Sequence, residues 1–141
     1  MVLSNPTFLK QPNEWSCGVY ALRMLLIIQG HRLQPTEAQL KTTRSDGTSH
    51  EAILRYLEGK RIGHAQYRRV PLEEIPLPCL VNYQYARDGH YGVLRHVGDR
   101  EVKIMNPFNG RMDTISRQVF EDRWFSKRYG NEWALHIELA R

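Results

Sequence analysis

The chain has 141 residues, of which 41% are hydrophobic and 25% charged, and a formal net charge of +5. That length suits one domain with a single core spanning residues 1–141 and is too short for two comfortable ones; no low-complexity tract or internal repeat interrupts it. The excess of Lys and Arg is dispersed, its densest cluster being the short "YRRV" at Tyr67 to Val70, so the charge suits an acidic peptide partner as well as a nucleic acid, and no nucleic-acid recognition motif accompanies it.

The N-terminal "MVLSNPTFLKQ" lacks the basic start and apolar centre of a secretory signal. From Cys17 to Ile28 almost every residue is apolar, which predicts a helix buried nearly all round, closed by Gly30 as a left-handed cap. Its longest apolar run, Met24 to Ile28, is far short of the roughly 20 residues that cross a bilayer. The chain therefore reads as cytoplasmic, either stand-alone or a domain excised from something membrane-bound. A second, weaker helix is expected after Pro35, through "TEAQLKT". A third is marked by Thr48 with Glu51 as a capping box, an apolar stripe of Ile53, Leu54 and Leu57, and Gly59 as its close.

Beyond Gly63 the periodicity changes. "HAQYRRV" reads as a strand, and "PLEEIPLP" as a proline-bounded connection with one helical turn. "CLVNYQYA", "HYGVLRHV" and "EVKIMN" are rich in β-branched and aromatic residues, with turn signals at Asp88-Gly89, Gly98-Asp99 and Asn109-Gly110. "ISRQVFEDRWF" has helical spacing through Ile115, Val119, Phe120 and Trp124, and "WALHIEL" reads as a last strand. Helices first, then an antiparallel meander with one late helix, predict an α+β domain whose N-terminal helices pack on the sheet.

Two cysteines, Cys17 and Cys79, do not make a disulfide framework. No CxxC or HExxH spacing is present, and the six histidines are scattered, so neither a metal nor a cofactor is expected. Cys79, inside "LPCLV", reads as a small apolar strand residue. Cys17 admits two readings: a structural thiol at the foot of a core helix, or a nucleophile. A catalytic thiol needs a lowered pKa, a base and donors for the oxyanion. The first turn of a helix supplies part of the first need, the Cys17 N–H would point at the oxyanion, and Gly18 leaves room for a substrate. His90 opens a strand after Asp88-Gly89 and is the candidate base. In a hairpin turning at Gly98-Asp99, Asn106 at the end of the next strand becomes its neighbour and can orient the imidazole. His96 is the rival histidine, but it lies nearer the hairpin tip. Tyr91 and Val93 face away from His90 and read as core, and Trp15 reads as packing at the cleft edge.

Gln11 separated by five residues from the Cys17-Gly18 pair, then "GHYGVL" from Gly89, then "IMNP" from Ile104 with Gly110, together resemble the papain-like family of bacteriocin-processing (double-glycine) cysteine peptidases and their peptidase-like relatives. The resemblance implies a papain-like fold, Cys17 as nucleophile, His90 as general base and acid, and Gln11 as a side-chain oxyanion donor. It also implies a peptide or protein substrate, such as a leader ending in small residues, with a membrane exporter as a further partner. The family usually carries aspartate in an Asp-Pro pair where this chain has Asn106-Pro107; papain-type enzymes use asparagine there. Exporter-fused members also carry membrane and ATP-binding parts, whereas this chain has no GxxxxGK[ST] loop. Two alternatives follow from the same residues: an inactive peptidase-like module that binds a peptide, and transfer of the acyl group to an amine instead of water.

Overall fold

The computed structural model describes residues 8–86 and 88–141. Most of the N-terminal stretch read above for a targeting signal falls in residues 1–7, outside the described residues. Helices α1 (Cys17–Ile28) and α2 (His50–Gly59) precede strands β1 (His64–Arg68), β2 (Cys79–Tyr85), β3 (Asp88–Val97), β4 (Glu101–Asn106) and β5 (Arg111–Ser116); α3 (Arg117–Trp124) and β6 (Trp133–Ile137) follow. A single 3-10 turn, Leu72–Glu74, lies in the proline-bounded connection.

None of the twelve residues of α1 is exposed, as its all-round apolar sequence predicts. Gly30 takes φ +83. It donates to Ile27 O while His31 donates to Leu26 O, the paired bonds of a glycine-closed helix end. The outward stripe is covered by Arg23, which stacks over the Tyr20 ring and donates to Pro35 O at 2.7 Å.

The stretch after Pro35 makes only one turn. Leu40 N–H bonds Thr36 O, but Lys41 takes φ +51 and Thr42 N–H reaches back to Glu37 O, which closes the turn at once. For α2 the cap is Ser49, whose hydroxyl accepts from Ala52 N–H; Thr48 instead shares a 2.6 Å bond with Thr42. Gly59 is the last residue of α2, as expected, but it is not left-handed. The left-handed residue is Arg61 at φ +57, two positions on.

The six strands form one antiparallel sheet in the order β1-β6-β2-β3-β4-β5. Two features depart from the expected meander: β6 inserts between β1 and β2, and β5 is a strand where a loop and the start of a helix were expected. Ile115 therefore belongs to β5, and α3 starts at Arg117 under a Ser116 cap. The sheet is covered on both faces. α1 and α2 pack over Leu80, Tyr91, Val93, Met105, Trp133 and Leu135, and α3 packs over Cys79, Val81, Tyr83, Leu94 and Ile104. That two-sided burial is why the first five residues of β2 are all buried, with no in-and-out alternation. The β2–β3 hairpin closes earlier than Asp88-Gly89: Tyr85 pairs with Asp88, and Ala86 takes φ +56. Gly89 is a strand residue, where a Cβ would stand 2.9 Å from the Tyr129 ring and 3.0 Å from Asn82 Oδ1.

Candidate active site

Cys17 is the first residue of α1, and Ser16 before it makes no side-chain cap bond to the helix; its hydroxyl lies 3.4 Å from Asn13 O instead. The first-turn amides are thereby left for the thiol. N–H groups of Cys17 and Gly18 point at it, and Tyr91 N–H meets it from β3. All three favour the thiolate, yet burial outweighs them and holds the thiol above its ordinary value, with the Asp88 carboxylate adding to the rise. Gly18 is small for a different reason from substrate access. A Cβ there would lie 2.7 Å from Thr48 Cβ and 3.1 Å from the Tyr91 ring, so the space belongs to the fold.

His90 pairs with Tyr83 across β2 and β3 and is only 5% exposed. Its ring stacks on Tyr85 at 4.6 Å and meets Tyr83 edge-on at 5.7 Å. Nε2 lies 2.7 Å from Asn106 Oδ1. The expected juxtaposition of these two side chains is present, although the ladder between β3 and β4 slips between Leu94 and His96. Burial lowers the imidazole below its ordinary value; the Asn106 bond and the Asp113 charge act in the opposite sense without cancelling it. His96 is exposed and lies at that irregularity.

Asn106 is fully buried, and both ends of its amide are bonded. Its Oδ1 also accepts Phe108 N–H at 2.9 Å, and its Nδ2 donates to Asp113 Oδ2 at 2.7 Å. Asn109 Nδ2 donates to the other Asp113 oxygen at 3.0 Å. Asp113 was not among the expected residues because β5 was not expected. The Asn109-Gly110 pair was the available sign, since such a dipeptide announces a returning strand.

Gln11 lies 7% exposed in the loop before α1. Its N–H donates to Pro107 O at 2.7 Å, which ties this loop to the segment carrying Asn106. Nε2 donates one hydrogen to Asn13 O at 2.7 Å, and Oε1 is buried without a partner among the described residues.

An open cleft of about 660 Å³ is lined by Trp15, Cys17, His50, Asn82, Gly89 and Tyr91, among others. His90 and Asn106 are not among the residues that line it. Trp15 is held by a 2.8 Å bond from Nε1 to Glu37. His50 is a cleft residue that the sequence reading passed over. Its ring stacks on Trp133 at 3.8 Å, and Nδ1 lies 2.6 Å from Tyr91 Oη, which itself donates to Thr48 O. The tyrosine proton being spent there, His50 must donate from Nδ1; burial lowers it to about 4, so it is neutral at pH 7. Cys79 is fully buried and free, its thiol pushed up to about 12 by burial alone, as suits a strand core residue. Among the described residues no group of three or more His, Cys, Asp or Glu side chains is placed to hold a metal ion, and no helix is long and apolar enough to cross a membrane.

Comparison with solved structures places this architecture among known peptidase domains. The chain is similar to a double-glycine-motif protease from an AMS/PCAT transporter, solved in complex with the leader peptide: TM-score 0.72, 20% identity, covering 94% of this chain and 90% of that one. It is likewise similar to the peptidase domain of Streptococcus ComA, a bifunctional ABC transporter of a quorum-sensing pathway, with TM-score 0.75, 15% identity, and coverage of 94% and 97%. At those identities the likeness is one of fold. Uncharacterized proteins of Methanothermobacter marburgensis and Methanothermobacter thermautotrophicus are each 26% identical over 119 residues, 84% of this chain and 82% of theirs. The profile described as the Peptidase C39 family matches residues 6–128. The chain belongs to the Peptidase C39 family.

Proposed function

We propose that this chain is a cysteine peptidase that cleaves a peptide bond through a thioester, with Cys17 as nucleophile and His90 as general base and acid. One observation carries the reading: the Cys17 thiol lies on the backbone N–H of Tyr91, next in sequence to His90, while Asn106 occupies His90 Nε2. Nδ1 is then the nitrogen that takes the thiol proton as Sγ attacks the carbonyl carbon. The oxyanion accepts from Cys17 N–H and from the second Nε2 hydrogen of Gln11. His90 gives its proton to the leaving amine, then takes one from the water that hydrolyses the thioester and frees the thiol. Structural relatives with this fold include a protease solved with a leader peptide, which supports a peptide substrate; the fit of a leader ending in small residues, and an exporter as partner, belong to the same proposal.

Covalent capture tests it. Incubation with a panel of peptide chloromethylketones ending in small residues is expected to add one inhibitor mass to the wild-type chain and none to Cys17→Ala. A panel that leaves the wild-type mass unchanged overturns the reading and favours a module that only binds peptides.

A second expectation follows from the resting charges. With the thiol raised by burial and the imidazole lowered, the pair rests uncharged at neutral pH. Alkylation of the free protein by iodoacetamide, which needs the thiolate, should still be climbing at pH 9. A preformed thiolate–imidazolium pair would instead give a plateau from about pH 4 upward, as strongly depressed thiols do.

A further inference from the structure

We propose that Asp113 is a positioning residue for His90: by accepting from Asn106 Nδ2 it fixes which end of that amide meets the imidazole, and hence which nitrogen of His90 carries the proton. The inference rests on the peptidase reading above and concerns how its base is set.

An asparagine side chain is nearly symmetric in shape but offers an acceptor at one end and two donors at the other. Left to itself, Asn106 could present either end to His90. Turned one way, Oδ1 accepts from Nε2–H and Nδ1 keeps a lone pair for the thiol proton. Turned the other way, Nδ2–H would demand the lone pair of Nε2, the imidazole proton would move to Nδ1, and the base would face the thiol with a donor. An aspartate at this place has no such ambiguity, since both its oxygens accept; the asparagine of this chain does.

The structure removes the ambiguity from behind. Asp113 Oδ2 stands 2.7 Å from Asn106 Nδ2. An ionised carboxylate only accepts, so turning the amide would set Oδ1 against it, oxygen to oxygen. Phe108 N–H, 2.9 Å from Oδ1, opposes the same rotation. The carboxylate is held in turn by Asn109 Nδ2 on its other oxygen at 3.0 Å, and Asn109 Oδ1 accepts Arg111 N–H at 2.9 Å. The chain of bonds therefore runs from β5 through the Asn109-Gly110 turn to β4 and then to His90, each member leaving one orientation to the next. The carboxylate charge also favours the imidazolium that forms during the reaction, acting against the burial of the ring. The other ionisable groups around the site are Cys17 of α1, Tyr83 and Tyr85 of β2, Asp88 of β3 and, beyond Tyr83, Arg123 of α3.

The test reads His90 directly. Long-range 1H–15N spectra of the full chain with 15N-labelled histidine report which ring nitrogen is protonated. Wild type is expected to carry the proton on Nε2; Asp113→Ala should shift population to the Nδ1–H form and lower kcat/KM about 10- to 100-fold, the range lost when the orienting partner of a metal-bound histidine is removed. In an Asn106→Asp background the amide ambiguity is gone, so adding Asp113→Ala should leave the tautomer unchanged. Should Asp113→Ala fail to fold, Asp113→Asn keeps the volume, and the midpoint of His90 is expected to fall. The proposal is overturned if Asp113→Ala keeps the wild-type tautomer, if it acts equally in both backgrounds, or if Asp113→Asn leaves the midpoint where it was. These spectra need no substrate. A chain that cleaves nothing would defeat the peptidase reading while the tautomer still decides the role of Asp113.

Discussion

Cys17→Ala is expected to abolish peptide cleavage, and His90→Ala to do nearly the same, each lowering kcat by at least about ten-thousandfold. Sulfur and imidazole act as one unit: without the thiol no thioester forms, and without the base the buried, raised thiol of Cys17 keeps its proton at neutral pH. Their losses should not add, so the double variant should be no worse than either single one. Neither change should unfold the protein. Cys17 sits at the end of α1, where a smaller side chain leaves the helix in place, and His90 lies on the ring of Tyr85, which stays. Cleavage followed by mass spectrometry, with urea unfolding as the control, checks both. A Cys17→Ala chain that still cleaves its peptide would remove the nucleophile assignment.

The largest effect on stability is expected at Trp133. This side chain is fully buried on β6, faces α1 and α2, and carries the His50 ring at 3.8 Å. Trp133→Ala should cost about 3–5 kcal/mol through lost apolar contact and the cavity left behind, a large part of the roughly 5–15 kcal/mol that holds a domain folded. Its indole N–H bond to Gln66, 2.9 Å long, contributes little to that sum because Gln66 is exposed and water can replace the donor. The urea midpoint should fall with an unchanged m value. A loss below about 1 kcal/mol would mean that the neighbours collapse into the space, and would contradict the packing described here.

Much of the fold is legible in local chemistry. α1 announces itself by an unbroken apolar stretch ending in Gly30, and the observed helix and left-handed glycine follow it. β2, β3 and β4 stand where β-branched and aromatic residues cluster, and the turn at Gly98-Asp99 puts Asn106 beside His90. The misplaced features have local causes too. Lys41 and Arg61 take left-handed conformations without being glycine, so no residue type announces the end of the turn after Pro35 or the left-handed turn that follows α2. β5 was missed because it is an outer strand of the sheet with no fully buried residue. It has no apolar alternation to betray it.

Residue order by itself determined the buried helix that starts at Cys17 and the hairpin that pairs His90 with Asn106, because both depend on patterns within a few residues or across one short turn. Tertiary structure alone decided that β6 slips between β1 and β2, that Tyr91 N–H meets the Cys17 thiol, and that the Asp113 carboxylate stands behind Asn106. Those contacts join segments with no shared periodicity. Only the closing of the sheet, which buries polar groups and obliges each to find a partner, brings them into reach.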